Sequence, residues 1–153
     1  MAEEGVQRTL VLVKPDGMRR ALAGEIVGRL ERKGLKIVAA RLVAVTPELA
    51  SRHYAEHQAK PFFQGLVAHL TQGGPTLALA VEGRSAISVV RLLVGATNPT
   101  TAAPGTIRGD LALALTPNLI HASDSPPSAE KELALFFREG DYQAYTRVDE
   151  AYL

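Results

Sequence analysis

The chain has 153 residues, enough for one compact domain, and 46% of them are hydrophobic, too many for a disordered chain. A formal net charge of +1 gives no reason to expect a nucleic-acid partner or an anionic membrane, and the lack of cysteine excludes disulfides, thiolate metal sites and a cysteine nucleophile. No apolar run reaches the roughly 20 residues of a membrane helix, and Met1-Ala2-Glu3-Glu4-Gly5 lacks the basic-then-apolar pattern of a secretory signal, so the expectation is a cytoplasmic protein without a membrane partner.

The first elements read clearly. Residues 1–7 are expected to form an N-terminal arm. Thr9-Leu10-Val11-Leu12-Val13 is a buried-strand pattern that ends at the turn sequence Lys14-Pro15-Asp16-Gly17. Leu22, Ile26, Val27 and Leu30 follow at helical spacing, with Gly34 placed to end the helix. Residues 35–45 read as a second strand. Thr46-Pro47-Glu48 is a helix start, with a capping hydroxyl, a proline at the first position and an acid in the first turn. That helix is predicted to run to about His57, and Phe62, Phe63, Leu66, Val67 and Leu70 suit another.

Residues 76–81 form a third strand, and Ser85 opens a helix carrying Ile87, Val90 and Val94. Residues 95–118 read mostly as loop, because Asn98-Pro99, Pro104-Gly105 and Pro117 interrupt them. Leu119-Ile120 is a short fourth strand, and Ser125-Pro126 starts a helix with Leu133, Phe136 and Phe137 inward. Residues 138–153 read as an irregular C-terminal extension. The whole, 1–153, is read as one domain. The order fits either a split β-α-β unit with an inserted helical hairpin or a doubly wound parallel sheet; the pattern leaves both open.

The chain has neither the G-x-x-x-x-G-K-[ST] nor the G-x-G-x-x-G phosphate cradle, so any phosphate site must be built from side chains. His53-Tyr54-Ala55-Glu56-His57 matches the H-x-x-E-H zinc pattern. On a continuous helix the two histidines would share a face and could share a metal. They could equally be exposed residues of an amphipathic helix, and nothing downstream clearly supplies a third ligand. The strongest local signal is Asn118-Leu119-Ile120-His121-Ala122-Ser123-Asp124-Ser125, a histidine at a strand end followed by small polar residues and a helix start. A neutral imidazole can attack phosphorus directly, and phosphoryl transfer asks the protein mainly for cations and donors around the moving charge. Lys14, Arg91, Thr97, Arg108 and Asn118 are candidates for that role, although spacing alone does not bring them together.

Five ordered segments resemble the nucleoside diphosphate kinases. They are residues 8–17, His53-Tyr54 with 60–67, 95–99 with 104–110, 118–125, and Glu130-Lys131-Glu132. The resemblance spans residues 8–132. It implies an α+β, ferredoxin-like antiparallel four-stranded sheet flanked by helices, with an inserted helical hairpin. It implies a ping-pong kinase in which the γ-phosphoryl group of a nucleoside triphosphate rests on His121 before passing to a nucleoside diphosphate. It puts Arg91, Thr97 and Arg108 on the phosphates and Lys14 and Asn118 near the sugar and reacting phosphate, with Tyr54 nearby. Phe62 stacks on the base beside Leu66, and Ser123 and Glu132 orient the histidine. Mg2+ arrives on the nucleotide phosphates rather than in a protein cage, no nucleic acid is required, and His53 and His57 are incidental. A homohexamer is implied by the 95–110 loop and the C-terminal extension, a homotetramer being the alternative.

The chain departs from the family pattern at Ala122, where glycine is usual, at Pro117, where a basic residue is usual, and at Gly73-Gly74, a lengthened turn. A binding module without turnover remains the rival reading from another class; retention of His121 with Lys14, Arg91, Arg108 and Asn118 argues against it.

Overall fold

The computed structural model describes residues 5–153; residues 1–4, most of the expected arm, lie outside the described residues. Strand β1 (Val6–Val13) begins three residues before the predicted start, because Val6 and Gln7 pair with Arg84 and Gly83. The turn expected at Pro15 is a short helix, α1 (Pro15–Arg19), with its proline in the first turn, where no backbone donor is needed. Helix α2 (Ala23–Lys33) ends at Gly34, whose φ of 106° a residue with a side chain adopts at a cost. Strand β2 (Lys36–Val43) follows, and α3 (Pro47–His53) is capped by the Thr46 hydroxyl, which accepts from Leu49 N at 3.1 Å.

Helix α3 stops at His53. A separate 3-10 turn, Ala55–His57, replaces the predicted continuation, so His53 and His57 do not share a helix face. Helix α4 (Phe63–Thr71) completes the inserted hairpin. Next come β3 (Thr76–Arg84) and α5 (Ala86–Val94), then α6 (Ile107–Leu111) inside the region read as loop. Strand β4 (Ile120–Ala122) and α7 (Pro126–Phe136) close the fold, with Phe137 buried just beyond the last helical residue.

The four strands form one sheet in the order β2-β3-β1-β4, every pairing antiparallel, which removes the doubly wound parallel alternative. Helices cover both faces. On β1, Leu10 and Leu12 join Ala78, Phe63 and Phe136 on one side, while Val11 and Val13 join Ile26, Val90 and Ile120 on the other. This two-sided burial explains why the central strands read as unbroken aliphatic runs rather than alternating ones. The C-terminal extension is pinned to the body: Tyr145 Oη donates to Ile37 O at 2.7 Å, and Arg147 donates to Glu31 O and Leu35 O, both at 2.9 Å. Among the described residues no helix is long and apolar enough to cross a membrane.

Candidate active site

The site grows from the junction of the central strand β1 with the edge strand β4. Antiparallel pairing sets Leu12 opposite His121 and Val13 opposite Ile120, and Lys14 N donates to Leu119 O at 2.9 Å. Lys14 and His121 thereby reach the same edge of the sheet. Asp16, in the first turn of α1, accepts from Leu119 N at 2.9 Å and from His69 Nε2 at 3.0 Å. Leu119 has φ of 74°, a region costly for a residue with a side chain, and the Asp16 carboxylate is what holds that bend beside Asn118.

The polar side chains then interlock. Lys14 Nζ donates to Asn118 Oδ1 at 2.5 Å, and Asn118 Nδ2 donates to Thr97 O at 3.1 Å. Arg108, carried on α6 by the Thr106 cap, donates to the carbonyls of Asn118 at 3.3 Å, Ile120 at 2.6 Å and Gly95 at 3.3 Å. Arg91, late in α5, donates to Ala122 O at 3.2 Å. His121 Nε2 is hydrogen-bonded to Glu132 Oε1, and Ser123 Oγ donates to the same carboxylate oxygen at 3.4 Å. The Glu132 bond occupies one nitrogen of the ring and leaves Nδ1 as the other.

Electrostatics follow from crowding cations into a poorly solvated place. Burial, then Arg108, lowers the Lys14 ammonium to about 8. Burial, then Arg91, lowers Arg108 to about 10. Burial first, then Lys14, Arg108 and Arg91, hold the His121 imidazole far below its ordinary value, so it is neutral at pH 7. Burial raises the Glu132 carboxyl and lifts Tyr54 to about 12, so the phenol keeps its proton.

One cleft of about 380 Å3 collects Lys14, Tyr54, Phe62, Leu66, Arg91, Thr97, Arg108, Asn118, His121 and Glu132, ten of the eleven predicted site residues. Ser123 stands behind it, buried against Glu132. Phe62, half exposed at 52%, forms the outer rim, with His57 5.6 Å away between ring centroids. A larger hollow of about 600 Å3 near Arg8 and Tyr142 has no histidine and one cation, so chemistry rather than volume selects the site. Two departures from the family pattern prove benign. Ala122 sits in β4 with no positive φ, and Gly73 and Gly74 take φ of 88° and 132° in their turn.

The sequence reading did not single out Asp16 and did not place His53 beside His121. Asp16 was read as part of a turn, and its clamp on Leu119 joins positions far apart in the chain. His53 was read as incidental; it is buried, its ring 4.5 Å from the His121 ring at 83°, and neither of its nitrogens has a hydrogen-bond partner. The H-x-x-E-H spacing marked His53, but assigned it the wrong partners.

The sequence model for nucleoside diphosphate kinase matches residues 7–142. The chain belongs to the nucleoside diphosphate kinase family. It is 55% identical over 148 residues to the nucleoside diphosphate kinase of Archaeoglobus fulgidus, covering 97% of each chain. It is 51% identical over 148 residues to that of Methanosarcina barkeri, covering 97% of this chain and 99% of the relative. Among solved structures it superposes on the Halobacterium salinarum nucleoside diphosphate kinase in complex with CDP with a TM-score of 0.93 and 49% identity, covering 97% of this chain and 98% of that one. The Borrelia burgdorferi enzyme, a transition-state mimic with vanadate and ADP, gives 0.91 and 38%, covering 96% of each. Membership in a nucleoside diphosphate kinase family makes the chain a phosphotransferase, of the kinase class.

Proposed function

We propose that the chain moves the γ-phosphoryl group of a nucleoside triphosphate onto a nucleoside diphosphate through phosphohistidine at His121. The observation that carries this reading is the His121 imidazole, bonded to Glu132 through Nε2, beside Lys14, Arg91 and Arg108 in one cleft. In the forward half-reaction the Nδ1 lone pair forms a bond to the γ phosphorus while the bond to the β–γ bridging oxygen breaks, and the diphosphate leaves with that electron pair. The second half-reaction reverses this with a different diphosphate. Glu132 accepts the Nε2 hydrogen bond and offsets the positive charge that phosphorylation places on the ring, while Ser123 steadies the carboxylate. Lys14, Arg91, Arg108, Thr97 and Asn118 meet the phosphate oxygens and sugar, with Tyr54 beside them. Phe62 stacks on the base with Leu66 beneath. Stacking suits any base, because each has a π-face.

Magnesium belongs, in this reading, to the nucleotide. The cluster of potential ligands among the described residues is His53, His121 and Glu132, two nitrogens and one oxygen, whereas Mg2+ requires oxygen. Carried on the phosphates, it withdraws charge from them. The expected setting is the cytoplasm and the expected assembly a homohexamer, with a homotetramer as the alternative. Exposed Leu92, Leu113 and Val148 support an assembly that covers apolar surface, and sedimentation tests it. The direct test of function is labelling of the protein by a triphosphate radiolabelled at the γ position. Label that is acid-labile and alkali-stable, and that any added diphosphate removes, supports the reading; transfer without labelled protein rejects it.

A further inference from the structure

His53 presents a puzzle that the kinase reading does not absorb. It is 6% exposed at the end of α3, and both ring nitrogens are without a hydrogen-bond partner. Buried polar groups are nearly always paired, and an unpaired one points to a bound water, an ion or a functional role. The ring stands edge-on to His121, and one ligand atom from each of His53, His121 and Glu132 lies within 4.8 Å of the others. His57, the other histidine of the H-x-x-E-H pattern, lines the same cleft but stands outside this cluster, with Nδ1 3.0 Å from Lys60 Nζ and its ring toward Phe62.

We propose that His53, His121 and Glu132 form a binding site for a divalent transition metal of the zinc type, and that filling it prevents phosphorylation of His121. Two imidazoles and a carboxylate are a three-ligand zinc set that leaves a fourth position open. The His121 side chain is 25% exposed, so water can reach that position from the cleft. Tetrahedral zinc with bonds near 2.0–2.1 Å spaces its ligands roughly 3.3 Å apart, so loading separates His121 Nε2 from Glu132 Oε1, now in direct hydrogen-bond contact, and adjusts a set of ligand atoms that already lie within 4.8 Å of one another. The metal replaces the proton shared by His121 Nε2 and Glu132: bonds form from nitrogen and oxygen to the metal, and the proton leaves to solvent. Magnesium does not compete, because it selects oxygen ligands and keeps its waters. A metal on Nε2 withdraws electron density from the ring that must attack phosphorus. It also occupies the carboxylate that supports the phosphorylated ring. The binding site stands on geometry alone; the inhibition rests on His121 being the phosphoryl acceptor.

The test is equilibrium dialysis of the intact protein against zinc, with metal analysis, for the unmodified chain, His53→Leu and His57→Ala. Leucine fills the buried volume and leaves no orphan nitrogen. One zinc per chain is expected for the unmodified protein and for His57→Ala. His53→Leu should bind more weakly by more than the roughly 10–100-fold that loss of an outer-shell partner costs. Cobalt in place of zinc should give the visible absorption of a low-coordinate site, lost in His53→Leu. His121 labelling by magnesium triphosphate is then measured for each protein with zinc and with a chelator, as a ratio. Zinc should suppress it in the unmodified chain, reversibly, and far less in His53→Leu. Failure to bind zinc, equal binding by His53→Leu, or loss of zinc in His57→Ala overturns the site. Full labelling with zinc bound overturns the inhibition. Absence of labelling in metal-chelated protein supplied with magnesium would instead reject the kinase reading and leave the zinc stoichiometry standing.

Discussion

Lys14 and Asn118, separated by 104 positions in the chain, are joined by a 2.5 Å hydrogen bond from the ammonium to the carboxamide oxygen in the floor of the cleft. The bond keeps Lys14 aimed at the cleft although burial and Arg108 lower its ammonium to about 8.

A pH dependence follows. In the nucleotide-free protein the Lys14 charge is lost as pH rises through about 8, so kcat/KM, which reports free-enzyme groups, should fall on that alkaline limb. Bound phosphates favour the charged ammonium, so the limb in kcat should lie at higher pH. Stability should move the other way. Between about 8 and the ordinary lysine value of 10.5 the unfolded chain holds more protons at this position than the folded one. The penalty for burying the charge is therefore full below pH 8 and is relieved as pH rises toward 10.5. Matched limbs in both kinetic profiles, or none, would show that Lys14 does not meet the phosphates.

Glu132→Gln tests support of the histidine. Glutamine keeps an acceptor for Nε2 but removes the charge, and charge-assisted hydrogen bonds are about twice as strong as neutral ones. A loss of about 1–2 kcal/mol corresponds to roughly 5–30-fold in the rate of His121 labelling, with the half-saturating triphosphate concentration little changed. Single-turnover kinetics decide it; a change confined to half-saturation would remove Glu132 from the chemical step.

Arg108 has two tasks. It donates to three backbone carbonyls around the His121 segment, so Arg108→Ala leaves buried acceptors unpaired and should lower stability on the order of 3 kcal/mol in denaturant melts. It should also lower the labelling rate on the order of 10²–10³, the usual cost of removing one positioned electrostatic donor. Arg108→Lys should recover part of the rate but little of the stability, because an ammonium cannot reach three carbonyls in one plane. Full recovery of both by lysine would contradict the structural role.

Phe62→Ala should weaken purine and pyrimidine nucleotides alike by about 1–3 kcal/mol, mainly in KM. With Phe62 half exposed, the melting temperature should barely move. Selective loss for one base would show that base edges are read instead.

Local chemistry was legible where one short segment decides the structure. The Thr46 and Ser125 caps, Gly34 and the aliphatic run of β1 all give the element expected of them. Helix α6 was hidden because Asn98-Pro99, Pro104-Gly105 and Pro117 made residues 95–118 read mostly as loop. Yet Thr106 caps it through Gly109 N at 3.0 Å, and a Cβ on Gly109 would come 2.0 Å from Ala103 O, so the residue that looks like a helix breaker is a packing requirement. The early stop of α3 carries no glycine or proline signal before Pro61, which is why His53 and His57 were read on one face. The contact of the His53 ring with His121 and the hydrogen bonds of Asp16 with Leu119 and His69 are set by strand pairing and hairpin packing, and no short window of sequence contains them. The convergence of Lys14, Arg91 and Arg108 on His121 was legible only through resemblance.

The central claim is that His121 carries the phosphoryl group between substrates. The most direct measurement is to expose the protein to magnesium triphosphate labelled at the γ position, map the label by peptide, and chase with an unlabelled diphosphate. The account predicts acid-labile, alkali-stable label on His121, complete discharge by purine and pyrimidine diphosphates, and no label on a folded His121→Ala variant. Label on another residue, or transfer between nucleotides by His121→Ala at more than a trace of the unmodified rate, would contradict it.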